Sequence, residues 1–235
     1  LGNVPSASPA AGKAQLKTGN RVAGTAAEQI IVLGNSLAGY VEGKSGRQFT
    51  VMVAVGNVPL TSPLEFTGIT DDQAKMVEAV RTFGTELKQG GGVGLFYFSG
   101  HGAQIDGANY LLPVGREFSS MEDVKRGSVT ALAVVDAMAT GRSDLNIIIL
   151  DACRNNPIDP NGAKGLSRID SNARLFISYA TSPGLTALDG AGNNSPYAKY
   201  LYQSIDAPNL DIEDTFKRTL KGVYGETHGE KRPWT

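Results

Sequence analysis

Residues 145–154 read Leu145-Asn146-Ile147-Ile148-Ile149-Leu150-Asp151-Ala152-Cys153-Arg154. Apart from Asn146, the run up to Leu150 is apolar on both faces of an extended chain, which suits a strand covered on two sides in a parallel sheet. Its polar end, Asp151 to Arg154, then falls at the carboxyl edge of that sheet, where open α/β folds bind their ligands. Upstream, Val93-Gly94-Leu95-Phe96-Tyr97-Phe98 has the same character and ends in Ser99-Gly100-His101-Gly102. Two central strands thus deliver one His and one Cys to a common edge.

The surrounding sequence supplies the other layers. Over residues 70–90, Met76, Val77, Val80, Phe83 and Leu87 recur at helical spacing, with Thr70-Asp71-Asp72 as a cap cluster and a glycine run from Gly90 as the stop. Further helices are expected near 129–138, 196–205 and 211–224, the last with Ile212, Phe216, Leu220 and Val223 on one side. Apolar runs at 30–33, 49–55 and 175–180 read as additional strands. This alternation predicts an α/β three-layer sandwich, with a mostly parallel central sheet and helices on both faces.

Residues 1–28 are rich in Gly, Ala, Ser and Pro without an apolar period, and 1–45 reads as an N-terminal segment apart from a domain over 46–235. Gly-Asn-Val-Pro followed by Ser-Pro occurs at 2–9 and again at 56–63, which reads as a shared turn type and not as a repeat architecture.

Composition narrows the function. With 22 basic and 23 acidic residues and no basic run, the chain lacks the footprint of a nucleic-acid binder. No apolar stretch reaches the length of a membrane span, and Leu1 opens a Pro/Ser/Ala-rich segment instead of a leader; a signal peptide removed earlier would leave the same start. The single cysteine, Cys153, permits no internal disulfide and no Cys-rich zinc site.

A lone Cys at a strand end is commonly a small buried hydrophobe, and an isolated His commonly a satisfied structural residue. Together at one sheet edge they do what acyl transfer needs, because an adjacent imidazole stabilises or generates the thiolate nucleophile. The backbone N–H groups of Gly102 and Cys153 are candidate donors to a tetrahedral oxyanion. Asp151 taken alone reads as a turn or cap residue accepting backbone N–H bonds, a common fate for Asp after a strand. His228 lies in a polar context and takes no role. Asp106, Glu117, Glu122, Asp123 and Asp170 are scattered acids without metal-ligand spacing.

These residues resemble the caspase clan, whose signature places a His about 50 residues before Gln-Ala-Cys; here His101 precedes Cys153 by 52 positions. The likeness is greatest to the bacterial caspase-like and metacaspase branch, through Tyr97-Phe98-Ser99-Gly100-His101-Gly102, Leu150-Asp151-Ala152-Cys153-Arg154-Asn155-Asn156-Pro157 and Tyr179-Ala180-Thr181-Ser182-Pro183-Gly184. Asp151 stands where animal caspases carry Gln, and Asn155 where they carry Gly. The resemblance therefore implies cleavage after Arg or Lys, with Asp151 and Ser99 lining the pocket, and a carboxylate there suits a guanidinium or ammonium. It also makes self-cleavage plausible at Lys164, Arg168 or Arg174, which lie between Cys153 and the strand at 175–180 in a polar segment, with its Gly/Asn/Pro-rich part at 155–172, that otherwise reads as a solvated loop. Only ten residues separate Val55 from Phe66, where the family usually places a helix.

The expectation is a cysteine endopeptidase acting on protein or peptide substrates, with no cofactor and no metal in the chemistry and with calcium, which some metacaspases require, left open as an activator. Two alternatives stand beside it: a catalytically silent scaffold of the same fold, and a Cys-dependent acyltransferase or amidase. Oligomeric state and compartment are not legible.

Overall fold

The computed structural model describes residues 49–55, 73–90, 92–113, 117–140, 143–153, 166–169, 174–182, 195–205, 207 and 210–235. The expected strand at 30–33, the 1–45 segment, both copies of the Gly-Asn-Val-Pro pattern, the 56–65 interval, Asp170 and Lys164 lie outside the described residues.

Eleven elements follow in the order β1 (Phe49–Val55), α1 (Gln73–Gly90), β2 (Gly92–Ile105), β3 (Ala108–Leu111), α2 (Met121–Gly127), β4 (Val129–Thr130), α3 (Ala131–Ala139), β5 (Ser143–Cys153), β6 (Leu175–Tyr179), α4 (Pro196–Ile205) and α5 (Ile212–Glu226). They build one six-stranded sheet ordered β4-β3-β2-β5-β6, with β1 also paired to β2. The β1–β2, β2–β5 and β5–β6 pairings are parallel, while β2–β3 and β3–β4 are antiparallel. The expected mostly parallel α/β sheet is therefore present, carrying an antiparallel extension that the sequence reading did not include.

That extension corrects the expected end of the second strand. β2 does not stop at Phe98 but continues through His101 to Ile105 and returns as β3. The turn is Asp106-Gly107, with φ of 51° and 80°. Two consecutive positive φ values match the right-handed twist of a hairpin, and glycine holds the second without a Cβ penalty. A further correction concerns 129–138: Val129–Thr130 forms the edge strand β4, and the helix starts at Ala131, with Thr130 Oγ1 accepting the Ala133 N–H at 3.1 Å.

Period-two alternation divides the sheet into two chemically different faces. Phe96 and Phe98 of β2, Ile148, Leu150 and Ala152 of β5 and Tyr179 of β6 pack on one side against Met76, Val80, Phe83 and Leu87 of α1 and Val134, Val135 and Met138 of α3. The opposite side carries Leu95, Tyr97 and Ser99 in β2, and Ile147, Ile149 and Asp151 in β5, in mutual register. It is covered by α4 and α5: the Tyr197 hydroxyl lies 2.7 Å from Ser178 Oγ, and the Phe216 ring sits 4.8 Å from Phe176. A Cβ on Gly222 would fall 2.1 Å from the Tyr200 ring, so the approach of α5 to α4 requires glycine there.

Trp234 pairs with the end of β6. Tyr179 and Trp234 exchange backbone hydrogen bonds of 2.9 and 3.2 Å, and their rings stack at 4.4 Å and 4°. Among the described residues no helix is long and apolar enough to cross a membrane.

Candidate active site

The parallel ladder between β2 and β5 ends in two pairs that concern chemistry, Ser99↔Asp151 and His101↔Cys153, with Gly100↔Ala152 between them. Parallel neighbours lie about 4.8 Å apart, so the backbones of His101 and Cys153 are adjacent although 52 positions separate them in sequence. Ser99, His101, Asp151 and Cys153 occupy the same phase of the pleat, because each is an even step from the others in strand or in register. His101 is exposed and Ser99 half-buried, whereas Asp151 retains 5% exposure.

The hairpin fixes the backbone beside His101. The Leu112 N–H donates to the His101 carbonyl at 2.9 Å, so that carbonyl faces β3. The Gly102 N–H belongs to the same trans peptide as that carbonyl and so points the opposite way, toward β5, at the last pair of that ladder, His101↔Cys153. Gly102 is itself buried, and a Cβ there would meet Ala152 Cβ and Tyr110 O at 3.4 Å and Leu166 at 3.5 Å.

Asp151 sits within β5 and not in a turn, and its partners include side-chain hydroxyls. Tyr97 donates to Asp151 Oδ2 at 3.3 Å, and Ser195, the residue before α4, donates to the same oxygen. Burial pushes the Tyr97 phenol well above its ordinary range; the Asp151 charge adds to this, and a hydrogen bond with Ser99 opposes it. Burial also raises the Tyr197 phenol, against the Ser178 hydrogen bond and with help from the Asp151 charge. Neither Tyr97 nor Ser195 figured among the expected site residues. The Ser195-Pro196 pair was readable as a helix start, but nothing local tells that its hydroxyl reaches a strand 44 positions upstream.

The stretch over 155–172 is not wholly solvated, as the sequence suggested. Leu166 is buried at 1% exposure. The backbone of Ser167 is gripped by one side chain, its N–H donating to Asn109 Oδ1 and its carbonyl accepting from Asn109 Nδ2, both at 2.7 Å. Gln104 Nε2 donates to Ser167 Oγ, and the Tyr179 hydroxyl to the Ser167 carbonyl at 3.3 Å. Arg168 is exposed next to this clamp. The Arg174 carbonyl accepts the Asn146 N–H at 2.9 Å and so opens the β5–β6 ladder. A cavity of 310 Å³ lined by Arg168, Ile169, Leu175, Ile177, Tyr179 and Trp234 lies on the α1 side of the sheet, away from Asp151.

Among the described residues no group of three or more His, Cys, Asp or Glu side chains is arranged to hold a metal. Of the scattered acids, Asp106 pairs with Lys125 at 2.7 Å, and Asp123 Oδ2 accepts the Ser119 N–H in the cap of α2. His228 takes a positive φ of 50° just beyond the C-terminus of α5, as part of a helix ending.

A family model described as the caspase domain matches residues 60–235. The chain belongs to this family of cysteine peptidases, and the mixed sheet flanked by helices is its α/β fold. A search of curated proteins finds no match. Membership of a peptidase family makes proteins or peptides the substrate class.

Proposed function

We propose that the protein is an endopeptidase that cuts after Arg or Lys through a Cys153–His101 acyl-enzyme route. The observation that carries this reading is the terminal register pair His101↔Cys153, one alternation beyond Ser99↔Asp151 on the same strands. Cys153 attacks the scissile carbonyl carbon as the thiolate, its proton passing to His101. His101 then gives that proton to the departing amine, leaving a thioester. Water attacks the thioester as His101 takes its proton, and the acid leaves while the thiol is restored.

The Gly102 N–H, turned toward the β5 side, and the Cys153 N–H supply the oxyanion donors in this reading. Asp151, with Ser99 beside it in register, selects a cationic side chain before the cut; a mostly buried carboxylate offers a guanidinium a stronger partner than one in water. Self-cleavage between Cys153 and β6 belongs to the same proposal: Lys164, Arg168 and Arg174 all meet the basic preference in sequence, and the hydrogen-bonded backbone at Ser167 and Arg174 makes Lys164 the preferred of the three.

The test is hydrolysis of fluorogenic peptides differing only in the residue before the cut (Arg, Lys, Asp, Ala), with wild type and Cys153→Ala, with and without calcium. Turnover confined to Arg and Lys peptides and lost in Cys153→Ala is the expected result. Cleavage that survives in Cys153→Ala, or a preference for Asp or Ala, overturns the proposal.

A further inference from the structure

Asp151 is an acid that the fold has surrounded before any substrate arrives. Two hydroxyls converge on one of its oxygens, Tyr97 from β2 at 3.3 Å and Ser195 from the start of α4. Ser195 does two things at once, because its Oγ also accepts the Ala198 N–H at 2.9 Å. A hydroxyl has one proton. With the helix amide on a lone pair, that proton goes to Asp151, so the bond has a fixed direction and asks the carboxyl to be the acceptor. The partial positive charge at the N-terminus of the ten-residue helix α4 polarises the hydroxyl in the same sense.

Tyr97 reaches the same carboxylate oxygen from β2. Its phenol is buried, stays protonated far above neutrality, and contacts Ser99, the register partner of Asp151. Tyr97, Asp151 and Ser195 thus form one hydrogen-bonded set joining β2, β5 and the start of α4, with Ser99 beside Asp151 in register. Hydrogen bonds donated to an ionised carboxylate favour that form and fix its rotation. An Asp at 5% exposure without them would carry a large desolvation cost.

We propose that Ser195 and Tyr97 are positioning residues for selection of the basic residue before the cut, holding the Asp151 carboxylate ionised and in one orientation so that it meets a guanidinium or ammonium. This rests on the reading of Asp151 as the selecting acid. Selectivity then depends on the helix cap of α4 as well as on the strand that carries Asp151, and a change at position 195 alters substrate choice through Asp151.

The experiment compares an Arg peptide with the neutral isostere carrying citrulline at that position, measuring kcat and KM for wild type, Ser195→Gly, Ser195→Thr, Tyr97→Phe and Asp151→Asn. Glycine is a serviceable cap that lacks the hydroxyl, so Ser195→Gly separates helix capping from donation to Asp151. A lost hydrogen bond to a charged group predicts a KM for the Arg peptide raised about ten-fold in Ser195→Gly and in Tyr97→Phe. The kcat stays near wild type, kcat/KM for the citrulline peptide is unchanged, and Ser195→Thr restores the wild-type KM.

Equal losses on both peptides assign the two hydroxyls to folding alone and overturn the proposal. So does an unchanged KM in Ser195→Gly and Tyr97→Phe when Asp151→Asn raises it. If Asp151→Asn also leaves the Arg preference intact, the selecting-acid reading itself fails, which separates the two outcomes. Thermal melts of each variant accompany the kinetics, and Tyr97→Phe carries the test from the sheet if Ser195→Gly does not fold.

Discussion

His101 and Cys153 are the last paired residues of the parallel ladder between β2 and β5. Beyond them the two strands part: β2 turns its pairing to β3 at Gly102↔Leu111, and β5 ends. Where a ladder stops, peptide groups lose a strand partner, and open α/β sheets bind their ligands at this carboxyl edge. His101 and Cys153, on separate strands, are held there in fixed register by the sheet itself.

The proposed chemistry gives the first prediction. His101→Ala and Cys153→Ala each lower kcat/KM on an Arg peptide by more than about 10³-fold, as loss of one member of a cooperating pair does. His101 is exposed, so its loss shifts stability by only about 0.5 kcal/mol. Steady-state kinetics beside a urea melt checks both halves, and an active His101→Ala refutes the pair.

The clamp on Ser167 bears on self-cleavage. A peptidase needs several residues around the bond free to extend, yet Ser167, one residue before Arg168, has both backbone groups held by Asn109, and the Arg174 carbonyl is already in the sheet. Prolonged incubation of the wild type is therefore expected to yield no new terminus at Ile169 or Leu175, leaving Lys164 as the preferred cut. Asn109→Ala strands the Ser167 N–H, costs about 1–3 kcal/mol and exposes the Arg168–Ile169 bond to self-cleavage or trypsin. Mass spectrometry of the fragments reads the outcome, and a terminus at Ile169 in the wild type sinks the argument.

How much of this was legible follows from distance along the chain. The apolar runs at 93–98 and 145–150 announce strands, because burial on both faces leaves a local signature. The His101 and Cys153 positions follow from the strands they sit on. The continuation of β2 past His101 was also written locally, in Asp106-Gly107, a hairpin dipeptide that the longer apolar pattern overshadowed. Helix α2 likewise had a sign in Ser120, whose side chain accepts the Asp123 N–H. The Ser195–Asp151 and Asn109–Ser167 contacts had none: they join residues 44 and 58 positions apart through polar side chains common in any loop.

The β6 edge carries the only tryptophan of the chain, Trp234. Its ring stacks on Tyr179, and among the described residues its buried Nε1 has no hydrogen-bond partner. Trp234→Ala removes the stack and is expected to cost about 1–3 kcal/mol. Trp234→Phe keeps an aromatic ring and deletes the unpaired N–H, so it costs less. Urea titrations followed by circular dichroism rank the two; equal losses would show that the stack contributes nothing beyond its area.

The buried tyrosines predict an alkaline limit to stability. Tyr97 and Tyr197 have folded values raised above the ordinary one, Tyr97 by burial and then the Asp151 charge, Tyr197 by burial against the Ser178 hydrogen bond. A raised value means that the folded state keeps a proton which the unfolded chain releases above about pH 10. Below that pH their contribution is fully present; above it, stability falls as pH rises toward the folded values, by about 1.4 kcal/mol per pH unit for each tyrosine. Tyr197→Phe therefore loses about 1 kcal/mol at neutral pH, from the 2.7 Å contact with Ser178, and has a shallower alkaline slope. The lysines titrating in the same range are common to both proteins, so the difference isolates Tyr197. Chemical melts between pH 8 and 11 measure it, and parallel slopes in the two proteins would show that Tyr197 ionises in the folded state as easily as in the unfolded.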